Sequence, residues 1–130
     1  MSAERPGAMR LTCHCGAVEL RVRPSVPLGA ARHCDCSFCR RRAAATVTVP
    51  LEDLEILRGA EALTLYRWNT GTAHHWFCRT CGIYTHHRRR SAPEYGVNLG
   101  ALDGVNPAEY EPLPWADGVN HPSDRADGAG

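Results

Sequence analysis

The alternation of apolar and polar residues along the chain predicts short β-strands. In the segment 17–23, Val18, Leu20 and Val22 fall on one face and charged side chains fall on the other, which is typical of a half-buried strand. Comparable patterns predict further strands in 43–49, 63–68, 73–78, 83–87 and 95–102. Strands of this length, with turns between them, indicate a mainly β domain.

Turn-forming residues separate the predicted strands. Pro50 ends the second strand, and residues 51–54 are predicted to form one helical turn. The N-T-G-T segment 69–72 and the Asp103-Gly104 pair predict turns, and Asn106-Pro107 predicts the start of a short helix. The sequence contains neither a repeated unit nor a long amphipathic helix.

The length of 130 residues favours one domain. We predict a flexible N-terminal tail over 1–9, a metal-binding domain over 10–112, and a mostly flexible C-terminal tail over 113–130. The last segment is rich in Pro, Gly and Asp, which favours flexibility.

Charge and hydropathy exclude several classes of partner. Fifteen basic and fourteen acidic residues give a net charge of +1, so we expect neither nucleic-acid nor membrane binding. No apolar stretch approaches the length of a membrane span, and the first nine residues lack the apolar core of a signal peptide. These features predict a cytoplasmic protein and leave its oligomeric state open.

Seven cysteines are the main candidate chemistry. Their odd number and the expected reducing compartment favour metal ligands over disulfides. Two close pairs, each followed by glycine, suit tight turns around one ion. These pairs predict a closed, structural four-thiolate zinc site, whose ligands are Cys13, Cys15, Cys78 and Cys81.

The other three cysteines, Cys34, Cys36 and Cys39, form a compact C-x-C-x-x-C cluster. Three protein ligands with an open fourth position are typical of a catalytic zinc. Alternatively, His33, His14 or a later histidine supplies a fourth ligand and closes the site. The spacing leaves both readings open.

The segments around these cysteines resemble the glutathione-dependent formaldehyde-activating enzyme (GFA) family, whose domain also occurs in centromere protein V. The similarity runs through L-T-C-H-C-G-A-V-E-L (11–20) and H-C-D-C-S-F-C-R-R-R (33–42). It continues in Y-R-W-N-T-G-T-A-H-H-W-F-C-R-T-C-G-I-Y (66–84) and Y-G-V-N-L-G-A-L-D-G (95–104). It covers roughly residues 10–111, including all seven cysteines in order.

The resemblance implies a small single domain of antiparallel sheets, the β-tent fold, and two zinc ions. One is structural, on Cys13, Cys15, Cys78 and Cys81, and one is catalytic, on Cys34, Cys36 and Cys39. It implies a carbon–sulfur lyase that condenses formaldehyde with glutathione to give S-hydroxymethylglutathione. The chain is short, with no obvious additional segment to grip glutathione. Two alternatives are the same chemistry on another thiol or aldehyde, and a zinc-stapled binding module without catalysis.

Several polar and aromatic residues allow both a functional and an ordinary interpretation. Arg40–Arg42 either bind substrate carboxylates or offset thiolate charge, or they form a solvated basic run. For Arg88–Arg90, a solvated run is the favoured interpretation. His33 is the best histidine for a supporting or general-base role. Ordinary core or surface positions are favoured for His74, His75, His86 and His87, and core positions are favoured for Trp68, Trp76 and Tyr84. Asn98 either satisfies buried backbone or faces the site.

Overall fold

The computed structural model of the chain describes residues 5–68, 73–90 and 92–119. Its strands are β1 (Met9–Thr12), β2 (Glu19–Val22), β3 (His33–Cys34), β4 (Thr46–Pro50), β5 (Leu54–Arg58), β6 (Leu63–Tyr66), β7 (His74–Cys78), β8 (Tyr84–Arg88), β9 (Glu94–Asn98) and β10 (Trp115–Ala116). The described residues contain one α-helical turn, α1 (Cys39–Arg42). Single 3-10 turns lie at Leu28–Ala30, Leu51–Asp53, Ala60–Ala62, Leu99–Ala101 and Pro107–Glu109.

The strands form two antiparallel sheets and one small parallel pair. The larger sheet has the order β4-β9-β8-β7-β6, and the smaller sheet has the order β1-β2-β5. Strand β10 pairs in parallel with β3. The predicted mainly β, antiparallel fold class is therefore confirmed.

The alternation in the first predicted strand places its apolar face in the core. Val18, Leu20 and Val22 have no exposed surface, while Arg21 lies outside. They pack with apolar residues of the larger sheet, including Val47, Val49, Val97 and Leu99. Two cysteines, Cys13 and Cys78, belong to the same buried cluster, so the core extends to the ends of the strands that carry them.

The second predicted strand begins later than the apolar pattern indicates. Residues 39–42 form α1, and Ala43 follows with φ 53°, a left-handed conformation that ends the helix. Strand β4 therefore starts at Thr46. The predicted strand 95–102 is also shorter, because Asn98 accepts a hydrogen bond from the Gly100 N–H and starts a 3-10 turn.

Most of the predicted turns are confirmed. A 3-10 turn occupies Leu51–Asp53, and the Asp103-Gly104 turn places Gly104 at φ 77°. Asn106 caps the turn Pro107–Glu109 by accepting from the Ala108 N–H at 3.1 Å. The turn predicted for 69–72 lies outside the described residues.

Strand β5 was not predicted, because its sequence L-E-I-L-R lacks a clean alternation. It pairs with β2 and leaves Ile56 and Leu57 exposed at 44% and 47%. Its end is fixed by Gly59 at φ 87°, where an added Cβ would lie 2.0 Å from the Ala17 carbonyl oxygen. Only glycine fits this close approach between the two strands.

Residues of both predicted tails make contacts with the folded domain. Met9 is the first residue of β1, and Leu113 is buried in the core. Strand β10 follows, with Trp115 paired to His33 and Ala116 paired to Cys34. The predicted division of the chain into three segments stays a prediction. Within the described residues, no helix has both the length and the apolar character that crossing a membrane requires.

The burial of His86, in the centre of the larger sheet, predicts that the folded protein loses stability in acid. Its ring is 3% exposed and stacks on Trp76 with 4.7 Å between ring centroids. Burial lowers the pKa of His86 to about 4 from the ordinary 6.5. Below pH 6.5 the unfolded chain therefore binds a proton that the folded protein refuses, and folding stability falls with falling pH.

We expect His86→Gln to flatten this dependence. Between pH 6.5 and about 5, the variant's free energy of unfolding should fall by about 2 kcal/mol less than that of the wild type. Above about pH 7.5 the group is neutral in both states and contributes no slope. Urea titrations across this range measure the effect, and His74→Gln, at a half-buried position of β7, is the control. Parallel stability curves for His86→Gln and wild type would contradict the prediction.

Candidate metal centres

Two turns bring four cysteines together. Cys13 and Cys15 lie in the turn between β1 and β2, while Cys78 ends β7 and Cys81 lies in the turn before β8. Their Sγ atoms all lie within 4.8 Å of one another. Cys15 Sγ is 3.6 Å from Cys13 Sγ and 3.7 Å from Cys78 Sγ. The structure thus assembles the predicted four-thiol set.

The distances between these sulfurs fit a tetrahedral metal ion. Zn–S bonds of about 2.3 Å place neighbouring sulfurs about 3.8 Å apart, whereas a disulfide requires about 2.05 Å. All seven cysteines of the chain are free thiols. The donor set and its spacing therefore suit a thiolate-binding metal.

The backbone of both turns supports thiolate charge. The Val18 N–H donates to Cys13 Sγ at 3.3 Å, and the Thr80 N–H donates to Cys78 Sγ at 3.4 Å. Burial raises the pKa of the Cys81 thiol, but backbone N–H donors of both turns outweigh it and lower that pKa to about 6. Hydrogen bonds to the charged form favour the state that binds metal.

The glycines after the two pairs have the predicted backbone conformation. Gly16 has φ 82° and Gly82 has φ 78°, and neither has an atom within 4 Å of an added Cβ. The requirement for glycine is therefore conformational, since other residues are strained at these angles.

The other three cysteines form a second cluster. Cys34 lies in β3, Cys36 follows in a loop, and Cys39 begins α1. Their Sγ atoms lie within 4.8 Å of one another, and the Cys39 N–H donates to Cys36 Sγ at 3.3 Å. Among residues 5–68, 73–90 and 92–119, no further His, Cys, Asp or Glu donor joins this set. Three sulfur donors leave the fourth position of a tetrahedral ion open.

His33 is next to this cluster in sequence but binds elsewhere. Its Nε2 is 2.8 Å from Glu111 Oε2, and its ring stacks on Trp115 with 4.4 Å between centroids. The hydrogen bond with His33 lowers the pKa of Glu111. The Nδ1 atom of His33 is buried and has no partner among the described residues. Its predicted supporting or general-base role stays a prediction.

A cavity of about 150 Å³ adjoins the three-cysteine cluster. Its lining includes the cluster and one carboxylate, Asp117, together with four arginines: Arg32, Arg42, Arg89 and Arg90. The excess of guanidinium groups makes the cavity suited to anions. The sequence favoured a solvated run at Arg88–Arg90, which is wrong for Arg89, because its side chain is 11% exposed and donates to Thr46 Oγ1 at 3.3 Å.

Arg42 contacts both the cluster and two aromatic rings. Its Nη2 donates to Cys39 Sγ at 3.5 Å. Its guanidinium carbon lies 3.6 Å from the ring centroid of Tyr84 and 4.7 Å from that of Phe38. Of the predicted run, Arg42 is thus the member that reaches the site, while Arg40 and Arg41 are exposed.

Two histidines that the sequence assigned to ordinary core or surface positions, His75 and His87, line the cavity. Their rings stack with 5.1 Å between centroids. Arg42 Nη1 is 3.1 Å from His75 Nδ1, and Tyr84 Oη is 2.6 Å from His87 Nδ1. Burial and then the Arg42 charge lower the pKa of His75 to about 3. The same causes lower the pKa of His87 well below its usual value.

The segment after residue 113 closes one side of the cavity. The Gly118 N–H donates to Asp35 Oδ1 at 2.8 Å. A Cβ at Gly118 would lie 2.4 Å from Cys34 Sγ and 2.8 Å from Cys36 Cβ. The backbone at Gly118 therefore contacts the cluster directly, which no local sequence signal predicts.

Three remaining candidates are also placed by the structure. Asn98 donates from Nδ2 to the Tyr84 carbonyl at 2.8 Å and accepts from the Gly100 N–H, so it satisfies backbone groups. Trp68 lines the cavity, in contrast to the core position favoured from sequence. Trp76 stacks on His86 inside the larger sheet.

The fold and the two thiol clusters define a small mainly β protein with one set of four and one set of three cysteines that could hold metal ions. The model of the family described as glutathione-dependent formaldehyde-activating enzyme matches residues 8–114. The chain therefore belongs to the GFA family, and the resemblance drawn from the cysteine motifs is confirmed.

A solved structure supports the same fold. The chain is similar to a Rhodobacter sphaeroides protein of known crystal structure, with 60% sequence identity and a TM-score of 0.81. The similarity covers 83% of this chain and 100% of the other.

Proposed function

We propose that the chain is a zinc-dependent carbon–sulfur lyase that condenses formaldehyde with glutathione to give S-hydroxymethylglutathione. The observation that carries the proposal is the three-thiol set without a fourth protein donor in the described residues, adjoining an arginine-lined cavity. Membership of the GFA family supports this choice of thiol and aldehyde.

Two zinc ions fit the two clusters. The closed set would hold a structural ion, and its ligands are Cys13, Cys15, Cys78 and Cys81. The open set of Cys34, Cys36 and Cys39 would hold the catalytic ion. Zinc bound there would supply the chemistry of a lowered thiol pKa, so that the substrate thiol is available as thiolate near neutral pH.

Arg42 adjusts the charge of the open cluster. Three thiolates around a divalent ion leave one net negative charge, and the Arg42 guanidinium lies 3.5 Å from Cys39 Sγ. A centre of this charge polarises a carbonyl weakly, which favours delivery of a thiolate nucleophile over activation of the aldehyde. The positive charge of Arg42 offsets this negative charge, so an anionic substrate can approach the cluster.

The cavity arginines favour a thiol that carries carboxylates. Glutathione has two carboxylate groups, and guanidinium groups bind carboxylates through paired, charge-assisted hydrogen bonds. Arg32, Arg89 and Arg90 line the cavity beside the cluster. Since thiol and formaldehyde also react unaided, the protein contributes mainly by holding both reactants in one orientation.

The proposal is tested by two-dimensional NMR exchange between glutathione and its hydroxymethyl adduct. We expect zinc-replete protein at low concentration to raise the exchange rate above that of buffer. Glutathione diethyl ester, which has the same thiol without free carboxylates, is the matched probe. We expect its kcat/KM to be lower by at least about tenfold, since a hydrogen bond to a charged group contributes about 1.5–3 kcal/mol.

An unchanged exchange rate with a full complement of zinc would contradict the proposal. Metal that stays chemically inert in both clusters would then favour the zinc-stapled binding module. Equal rates for glutathione and its ester would leave the lyase chemistry intact and contradict carboxylate recognition by the arginines. A different thiol or aldehyde as substrate would be found by repeating the exchange with other small thiols.

A further inference from the structure

Arg42 fixes the protonation pattern of His75. A guanidinium group carries only hydrogen-bond donors, so its partner atom must accept. Arg42 Nη1 is 3.1 Å from His75 Nδ1, and therefore Nδ1 holds a lone pair and the ring proton resides on Nε2. A protonated ring would present a donor to a donor at this distance. His75 is thus held as the neutral Nε2–H tautomer.

The neighbouring His87 lies beside His75 and contacts Tyr84 and Arg42. Tyr84 Oη lies 2.6 Å from His87 Nδ1, and Arg42 Nη2 lies 3.5 Å from the same atom. The stacked, neutral ring of His87 packs against His75 and holds its plane. Phe38 meets the His75 ring edge-on at 4.6 Å.

The Nε2–H of His75 has no acceptor among the described residues. The fully buried polar atoms that lack a partner in this part of the chain are His33 Nδ1, Arg42 Nε and Arg89 Nε. His75 Nε2 is not one of these sealed atoms, so it is accessible from outside the protein. His75 lines the cavity together with the three cysteines, which places this accessible atom at the cavity. A fixed hydrogen-bond donor therefore faces the space where substrate would bind.

We propose that His75 donates its Nε2–H to the oxygen of the one-carbon unit bound beside Cys34, Cys36 and Cys39. This inference rests on the proposed lyase function. Arg42 and His87 act as positioning residues, because they orient the ring and fix its tautomer. The same tautomer excludes His75 as a general base and as the fourth metal ligand, since both roles need a lone pair on Nε2.

The donor matches the charge that develops during the reaction. The thiolate sulfur forms a bond to the aldehyde carbon, and the electron pair of the carbonyl π bond moves onto oxygen. The thiol proton goes to solvent, and the oxygen takes one proton from solvent, so the adduct contains all atoms of both reactants. His75 keeps its own proton throughout. Its hydrogen bond strengthens as the oxygen becomes negative, which is the requirement for transition-state stabilisation.

The test compares three variants in the exchange assay. His75→Phe keeps a ring against Phe38 and removes the donor, and His75→Gln returns an N–H close to the position of Nε2. The matched control is His86→Phe, which alters a buried histidine outside the cavity lining. We expect His75→Phe to lower kcat by about 100-fold with KM for glutathione and zinc content unchanged. His75→Gln should recover at least about tenfold, and His86→Phe should match the wild type.

A second readout does not depend on activity. In protein labelled with ¹⁵N-histidine, we expect the His75 resonances of the neutral Nε2–H tautomer at pH 7, and we expect Arg42→Met to remove that preference. A Nδ1–H tautomer or a charged ring in the wild type would overturn the inference. So would a His75→Phe variant as active as His86→Phe. Wild-type protein that fails to accelerate exchange would instead overturn the proposed function, while the NMR result still decides the tautomer.

Discussion

Replacing Cys78 with serine should leave the chain without a cooperative unfolding transition. Cys78 has no exposed surface and belongs to the hydrophobic core as well as to the four-thiol cluster. Its removal breaks the closed zinc site that we propose. Structural zinc sites of this kind contribute about 10–16 kcal/mol, and a small domain is stable by only about 5–15 kcal/mol. Loss of the full metal contribution is therefore comparable to, or larger than, the whole stability of a domain of this size.

The position of the ligands in sequence explains why this site is sensitive. Cys15 and Cys78 are 63 residues apart, so an unfolded chain must close a long loop before both sulfurs reach one ion. That closure costs about 4 kcal/mol, and metal binding is consequently coupled to folding of the sheets. Removing zinc with a strong chelator should unfold the wild-type protein for the same reason.

Near-ultraviolet circular dichroism and thermal melting measure the outcome, together with zinc content. The control is Thr80→Ser, an exposed position between Cys78 and Cys81 that donates only its backbone N–H to the cluster. We expect its melting curve to match that of the wild type. A Cys78→Ser protein that binds one zinc ion fewer and still melts cooperatively at the wild-type temperature would contradict a stapling role.

The four-thiol set could be predicted from sequence because its chemistry is local. Each pair lies within one turn, each turn is followed by a glycine, and two pairs satisfy one tetrahedral ion. The strand that contains Val18, Leu20 and Val22 was predictable because one of its faces is fully buried. Patterns that depend on neighbours along the chain are visible in a single sequence.

The walls of the cavity could not be predicted in this way. Arg42 comes from α1, His75 from β7 and Arg89 follows β8, and only the folded sheet brings them to one cavity. Runs of arginine and pairs of histidine are usually solvated or structural, so their sequence gives no sign of which member faces inward. Gly118 contacts Cys34 from a segment whose composition favours flexibility. The strand pairing of β10 with β3 outweighs that composition.

The two clusters also differ in how far they support the fold. Cys13 and Cys78 pack inside the apolar core, whereas Cys34, Cys36 and Cys39 lie beside the cavity and outside that cluster of side chains. The three cysteines fall within six consecutive residues. An unfolded chain retains much of that spacing and binds metal as well, so the ion stabilises the folded state less.

Replacing Cys36 with serine should therefore abolish exchange activity while the fold persists. We expect one zinc ion fewer per chain, a fall in the exchange rate of at least about 100-fold towards the buffer value, and a melting temperature within about 5 °C of the wild type, which corresponds to roughly 1 kcal/mol. The serine oxygen is a poorer zinc ligand than a thiolate, and the remaining two sulfurs hold the ion weakly.

Metal stoichiometry, exchange NMR and thermal melting on one preparation separate the two parts of this prediction. Ser37→Ala, at an exposed position between Cys36 and Cys39, is the matched control and should keep both ions and the activity. A Cys36→Ser chain that unfolds while Ser37→Ala does not would assign a structural role to the open cluster. Retained exchange activity after loss of the second ion would place the chemistry elsewhere. If Cys78→Ser removes the fold and Cys36→Ser removes only the reaction, the pair of variants identifies an enzyme with one structural zinc rather than a module stapled by two.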